Sequence, residues 1–162
     1  LSNKMLKEKI IEHLNSMEIN YEYNIEDVRQ SFFFDLHLSN GIVRSVIGID
    51  TVEGYVIIYL MFPTPLPAYK SSEVLEYISR INYDDCFGAF TYDFKDRLVG
   101  YHCAFFIEKD MTDFNTHFKR SLQLAIDKMD FYIPGLFSVG FGDKEPALAI
   151  NQLEFETDPS LN

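Results

Sequence analysis

Histidines are the side chains in this sequence best suited to bind a metal ion, and there are four: His13, His37, His102 and His117. No two of them have the three- or four-residue spacing that places two ligands on one helix face. His102 neighbours Cys103, but adjacent residues of a strand point to opposite faces, so the two cannot hold one ion together. We therefore expect no metal site.

Two pairs of carboxylates lie close in sequence and could act as acid and base: Asp84 with Asp85, and Asp93 with Asp96. Such a pair needs one carboxylate shielded from water so that its pKa rises. Both pairs fall in predicted turns, where we expect them to be hydrated. The segment 140–144 has two glycines and a lysine but lacks the strand-to-helix context of a phosphate loop. The sequence thus predicts no catalytic residue, no cofactor and no enzymatic activity.

The two cysteines, Cys86 and Cys103, are too few for a disulfide framework. The strand pattern predicts them on neighbouring strands, two to four residues out of alignment and roughly 7–13 Å apart at about 3.3 Å per residue. A disulfide needs Cα atoms within about 7 Å. We predict two core thiols and a reducing, cytoplasmic location.

Net charge limits the classes of partner. The chain carries 25 acidic and 14 basic side chains, a formal charge of −11. Such a surface repels phosphate backbones and anionic membranes, so neither nucleic acid nor membrane is an expected partner. The longest apolar run, residues 55–62, is also far short of the ~20 residues of a membrane helix.

The hydrophobic pattern predicts one α+β domain over residues 1–142 and an acidic tail over residues 143–162. Apolar residues at helical spacing indicate a first helix near the N-terminus, a second from Ser71 and a third ending near Pro134–Gly135. The predicted order α-β-β-β-α-β-β-α implies an antiparallel five-stranded sheet with three helices, mainly on one face. The apolar residues of the tail could dock on the domain as an extended strand: Leu148, Ile150, Leu153 and Phe155.

The clearest local signal is a β-hairpin. Residues 32–38 alternate between the helix side and the opposite side, and Asn40-Gly41 follows. This dipeptide is favoured in two-residue hairpin turns because both central residues must accept a positive φ. Pairing Ser39 with Ile42 would place Phe34 opposite Ile47, so that apolar side chains meet across the hairpin.

Several short motifs between Arg80 and Tyr132 are similar to those of the YbjN family. These bacterial proteins are proposed to regulate sensory transduction, and their fold is similar to that of type III secretion chaperones. The matching features are Ile81-Asn82, Gly88-Ala89-Phe90, Asp93, Tyr101 and Asp130-Phe131-Tyr132-Ile133-Pro134, while Arg97 stands where the family usually has glycine. The resemblance implies an α+β fold with self-association or protein binding, and it carries over no catalytic residues.

The strand predicted over residues 55–62 has no polar face, which is typical of a strand covered on both sides or lying in an interface. If its odd positions face away from the helices, one surface collects five large side chains: Phe33, Tyr55, Ile57, Tyr59 and Met61. Burying each is worth about 1.5–3 kcal/mol, so we expect something to cover them. The tail, a second copy of the chain and a client peptide are the candidates.

These observations favour a binding role. We expect a non-enzymatic protein-binding module that acts as a homodimeric adaptor or chaperone-like regulator, with a protein or peptide client as a further partner. The alternative is a small-molecule sensor domain that holds an apolar ligand between helices and sheet.

Overall fold

The computed structural model describes residues 3–27, 29–107 and 113–157. Within them the chain forms a six-stranded antiparallel sheet and four α-helices. The strands are β1 (Glu22–Glu26), β2 (Arg29–His37), β3 (Ile42–Asp50), β4 (Tyr55–Met61), β5 (Ala89–Asp93) and β6 (Leu98–Phe106). The helices are α1 (Asn3–Ser16), α2 (Ser71–Asp84), α3 (Phe114–Gly140) and α4 (Pro146–Thr157), with a 3-10 turn at Ala68–Lys70. The strand order across the sheet is β1-β2-β3-β4-β6-β5.

The α+β class and the antiparallel sheet are confirmed, but the predicted counts of five strands and three helices are wrong. The additional strand is β1, a short edge strand that pairs with β2. The Tyr23 ring of β1 packs against Phe32, and the Lys7 ammonium of α1 lies 3.8 Å from the Tyr23 ring centroid. These contacts stabilise a strand whose own sequence is too polar to indicate one.

The additional helix is α4, where the tail was predicted to be extended. Pro146 is its first residue, a position where the missing N–H of proline costs nothing. Ala149 and Ile150 are buried, and the helix packs on α2 and α3. The tail is helical because the groove between these two helices takes up one apolar side of it.

One side of the sheet forms the core with the helices. In β4 the alternate residues Val56, Ile58 and Leu60 are fully buried. Phe32 and Ile47 pair beside them in β2 and β3 and are also fully buried. Helix α3 lies over β4 and β6, and α2 lies beside β5. The predicted placement of the helices mainly on one face is confirmed, and we call this side the covered face.

The hairpin between β2 and β3 is present, but its predicted register and turn are wrong. Phe34 pairs with Ser45, two residues away from the predicted partner Ile47. Neither Asn40 nor Gly41 has a positive φ. The reason is tertiary: the Asn40 backbone N–H donates to Asp130 Oδ1 at 2.7 Å, and its side-chain amide donates to the Asp130 carbonyl at 3.0 Å. These bonds to α3 determine the shape of the turn.

Helix α3 also continues beyond the predicted end at Pro134–Gly135, reaching Gly140. A proline inside a helix has no N–H to donate to the carbonyl four residues earlier, which here belongs to Asp130. Asn40 donates to that carbonyl instead. The proline is therefore tolerated because the hairpin tip supplies the missing donor. No helix in the described part of the chain is long and apolar enough to span a bilayer.

Candidate functional site on the open face of the sheet

The sheet surface opposite to the helices, which we call the open face, carries all five residues predicted for it. The ladder aligns Phe33 of β2 with Val46 of β3 and Tyr59 of β4. Phe33 is 42% exposed and Tyr59 is half-buried. Tyr55, Ile57 and Met61 are half-buried on the same side. That a partner binds these side chains stays a prediction.

Two glycines give this face its flat centre. A methyl group on Gly100 would overlap the ring of Tyr59, so the ring lies directly over the β6 backbone. A methyl on Gly48 would come within 2.9 Å of the Ile57 side chain. Because both side chains lie over glycines, they are half-buried without a covering layer, and the surface they form is smooth enough to pack against another protein.

Sequence reasoning missed some residues of the open face. Val46 lies at its centre, and Phe106, which pairs with Tyr55, is 76% exposed at one end. The alternation within β3 and β6 would have indicated both residues, had the ladder registers been known. They extend the apolar surface across β2, β3, β4 and β6.

Charged groups line the rim of the face. A groove of about 530 Å³ lies where β1 begins, next to Phe33, Val46 and Met61. Arg44 and Glu22 contribute to its walls. An apolar centre with a polar rim of both signs is the usual composition of a protein–protein interface.

The described part of the tail does not cover the open face. Helix α4 packs on α2 and α3, which belong to the opposite side of the sheet. Its Leu153 side chain reaches the surface of α3 at Gly135, beside the hydroxyl of Tyr77. Of the three predicted coverings, a second copy of the chain and a client remain for this face.

A buried carboxylate lies on the covered side of the sheet, where the sequence predicted only hydrated ones. The Asp85 side chain has no exposed surface. Its Oδ1 accepts the backbone N–H groups of Phe87 and Gly88 at 2.9 and 3.2 Å. Its Oδ2 accepts the Tyr101 hydroxyl at 3.0 Å and lies 3.4 Å from the Lys128 ammonium. The prediction of a wet turn is wrong for Asp85, although its neighbour Asp84 is exposed.

The electrostatics of this cluster favour the charged carboxylate. Burial acts to raise the pKa of Asp85, but hydrogen bonds from the Phe87 backbone and the Tyr101 hydroxyl, with the charge of Lys128, lower the pKa below its usual value. Burial and the bond to Asp85 raise the pKa of the Tyr101 hydroxyl. An ionised aspartate and a neutral phenol form a stable pair here, which holds the end of α2 to β6.

The two cysteines differ in environment. Cys103 is buried in β6, as predicted, and its thiol donates to the Ser121 carbonyl at 3.6 Å. Burial raises the pKa of Cys103 to about 11, so the thiol is neutral. Cys86 is exposed, and its predicted place in the core is wrong. The hydrogen bonds that the Phe87 and Gly88 N–H groups donate to Asp85 shape residues 85–88 into a turn, so that β5 begins only at Ala89.

The histidines are dispersed over the fold. His13 lies on α1 beside the Phe118 ring, and His117 lies on α3 near Phe105. His37 and His102 are on the open face, in strands that are not neighbours. Among residues 3–27, 29–107 and 113–157, no group of three or more histidine, cysteine or acidic side chains is arranged to hold a metal ion.

The chain matches no family model and no curated protein. Among solved structures it is similar to a chain of the HopA1–SchA chaperone–effector complex, with a TM-score of 0.50 and 11% sequence identity. The matched region covers 84% of this chain and 98% of the other. At such low identity the similarity shows a shared chaperone-like α+β fold and nothing further. The resemblance to the YbjN family stays a prediction.

Proposed function

We propose that this chain is a non-enzymatic protein-binding module, a dimeric adaptor or chaperone-like regulator that binds through the open face of its sheet. The observation that carries the proposal is the apolar surface centred on Phe33, Tyr59 and Met61, which no described segment of the chain covers. Soluble proteins rarely leave such a contiguous patch in water. Its occupants are a second copy of the chain and a protein or peptide client.

The fold supports this role. The neighbouring solved structure comes from a chaperone–effector complex, in which a protein of this fold takes part in protein binding. The YbjN resemblance also implies self-association or protein binding.

Oligomeric state tests the proposal directly. We expect size-exclusion chromatography with light scattering to show a dimer at about 100 µM, a concentration well above the Kd of a stable homodimer. Phe33→Ser should shift the chain to a monomer, because it removes an apolar anchor from the centre of the interface. The matched control is Phe94→Ser, since Phe94 is also exposed but lies in the β5–β6 turn.

A client is tested by crosslinking in native lysate with the same two variants. A partner that Phe94→Ser retains and Phe33→Ser loses would support the client role. A wild-type chain that is monomeric and captures no partner sensitive to Phe33→Ser would contradict both forms of the proposal.

A second candidate function is a small-molecule sensor domain. The observation that favours it is a cavity of about 380 Å³ between β6 and α3, which is within the usual size range of ligand pockets.

A further inference from the structure

The cavity lies in a notch at one edge of the sheet. Strand β5 begins at Ala89, which pairs with His102, whereas β6 continues to Phe106. Within the described residues, β5 therefore leaves the last four residues of β6 unpaired on that side. The cavity of about 380 Å³ occupies the space between this part of β6, the loop before β5 and the first half of α3.

Apolar side chains form most of its wall. Phe105 of β6, Leu124 of α3 and Phe87 of the loop before β5 all line it. Phe87 is 68% exposed, so a ligand in the cavity would remove an aromatic side chain from water. The neutral thiol of Cys103 completes the wall and is held by its bond to the Ser121 carbonyl.

The charge around the cavity is opposite to that of the whole protein. Arg120 and His117 line it, and none of its described lining residues is acidic. Within residues 3–27, 29–107 and 113–157, no carboxylate forms an ion pair with Arg120. In a chain with a net charge of −11, an apolar cavity lined by the Arg120 guanidinium is suited to a ligand that carries its own negative charge.

Hydrogen bonds hold the loop that carries Phe87. Asp85 accepts hydrogen bonds from the backbones of Phe87 and Gly88 and is itself held by Tyr101 and Lys128. A methyl on Gly88 would overlap the Tyr101 hydroxyl, so this turn fits closely against β6. Because the Phe87 loop is already ordered, a ligand would lose little free energy in arranging its site.

We propose that this cavity binds a small amphipathic carboxylate. The apolar body lies between Phe87, Phe105 and Leu124, and the carboxylate accepts paired hydrogen bonds from the Arg120 guanidinium. At ~30 Å³ for each water-sized group, the volume suits a ligand of roughly ten non-hydrogen atoms. This site deepens the second candidate function and rests on it, whereas binding at the open face does not depend on it.

Octanoate is the probe, because it has ten non-hydrogen atoms and one carboxylate. In a two-dimensional amide NMR titration of the full chain, we expect saturable shifts at Ala104, Phe105 and Ser121. 1-Octanol, which has the same apolar body and no charge, should bind at least about tenfold more weakly. Arg120→Gln should raise the octanoate Kd by a similar factor.

Lys119→Gln is the matched control, since Lys119 is the preceding residue of α3, is also exposed, and does not line this cavity but a separate groove beside α1. It should leave the octanoate Kd within about twofold of the wild-type value. Phe87→Ala provides a second variant that alters the apolar wall without touching the charge, and it should also weaken binding. Circular dichroism verifies that each variant is folded.

Three results would overturn the proposal. One is the absence of saturable shifts up to about 10 mM octanoate, a weak-binding limit for a ligand of this size. Another is equal Kd values for Arg120→Gln and Lys119→Gln. The third is a set of shifts confined to the open face around Val46 or to the α1 groove around Met17. The dimer test of the open face does not involve octanoate, so the two proposals can fail separately.

Discussion

The two sides of strand β4 have nearly the same composition and opposite surroundings. Val56, Ile58 and Leu60 are fully buried under the helices, whereas Ile57 and Tyr59 between them are only half-buried on the open face. Hydrophobicity therefore does not separate the core residues of this strand from those of the open face. What separates them is whether the same chain supplies a covering layer, and stability measurements can detect that difference.

Truncation of neighbouring isoleucines on β4 should give the largest contrast. Ile58→Ala should lower the free energy of unfolding by about 3 kcal/mol, since it leaves a cavity in a close-packed core. Ile57→Ala should cost about 1 kcal/mol or less, because its side chain already contacts water. Urea unfolding at low protein concentration, where a dimer contributes little, measures both. Equal losses of unfolding free energy in Ile57→Ala and Ile58→Ala would mean that the open face is covered within the monomer.

Asp85→Asn should have the next largest effect. We expect a loss of about 2 kcal/mol at pH 7, because the buried Tyr101 hydroxyl and Lys128 ammonium lose a charged acceptor. The pKa of Asp85 is lowered in the folded chain, so its contribution is present above the unfolded pKa of ~3.9 and is lost as pH falls below it.

The variant should therefore show a weaker loss of stability than the wild type as the pH falls below about 4. Asp84→Asn is the control, since Asp84 is adjacent and exposed. If both variants give the same acid titration by circular dichroism, the buried cluster does not control acid stability.

Adding one methyl to α3 and one to the open face compares how easily neighbouring side chains can move in the helical layer and on the open face. Gly135→Ala would overlap the Tyr77 hydroxyl, which is buried and bonded to the Tyr132 carbonyl at 2.8 Å. We expect a loss of about 1–2 kcal/mol, although Gly→Ala in a helix normally gains about 1 kcal/mol. Gly100→Ala meets only the Tyr59 ring, which can move on the open face, so its cost should stay below about 1 kcal/mol. Thermal unfolding measures the stability of both variants. A larger loss of stability for Gly100→Ala than for Gly135→Ala would show that the Tyr59 ring is held in place.

The smallest expected effect is at the hairpin tip. Asn40→Ala removes the side-chain amide that bonds to the Asp130 carbonyl, which Pro134 leaves without a helical donor. We expect a loss of about 1 kcal/mol. In Pro134→Ala the helix can bond that carbonyl itself, so Asn40→Ala should cost less in that background, and a double-mutant cycle measures the difference. If Asn40→Ala lowers the stability equally in the wild-type and the Pro134→Ala backgrounds, the proline and the asparagine are not coupled.

The spacing of apolar residues within single segments predicted several helices and strands of the fold. The helices α1 and α2 and the alternation in β2 follow from the spacing of apolar residues, and the structure contains them. The side of β4 that carries Tyr59 was also predicted, because the side-chain period of a strand is two.

Other features depend on contacts between distant segments and could not be predicted. The burial of Asp85 depends on Tyr101 and Lys128, which are 16 and 43 residues away in sequence. The hairpin turn departs from the preference of Asn40-Gly41 because Asp130 lies 90 residues away from Asn40. The cavity at β6 depends on where β5 begins, and the turn at Asp85 determines that start.

The sequence by itself determined the α+β class, the antiparallel pairing and the two-sided apolar character of β4, because each follows from residue spacing within one segment. Only the tertiary structure decided that α4 lies on the helices, that β1 completes a six-stranded sheet and that no described segment of the chain covers the open face. The physical reason is that apolar side chains specify burial but not the surface that buries them, and that surface is chosen by the packing of the whole chain.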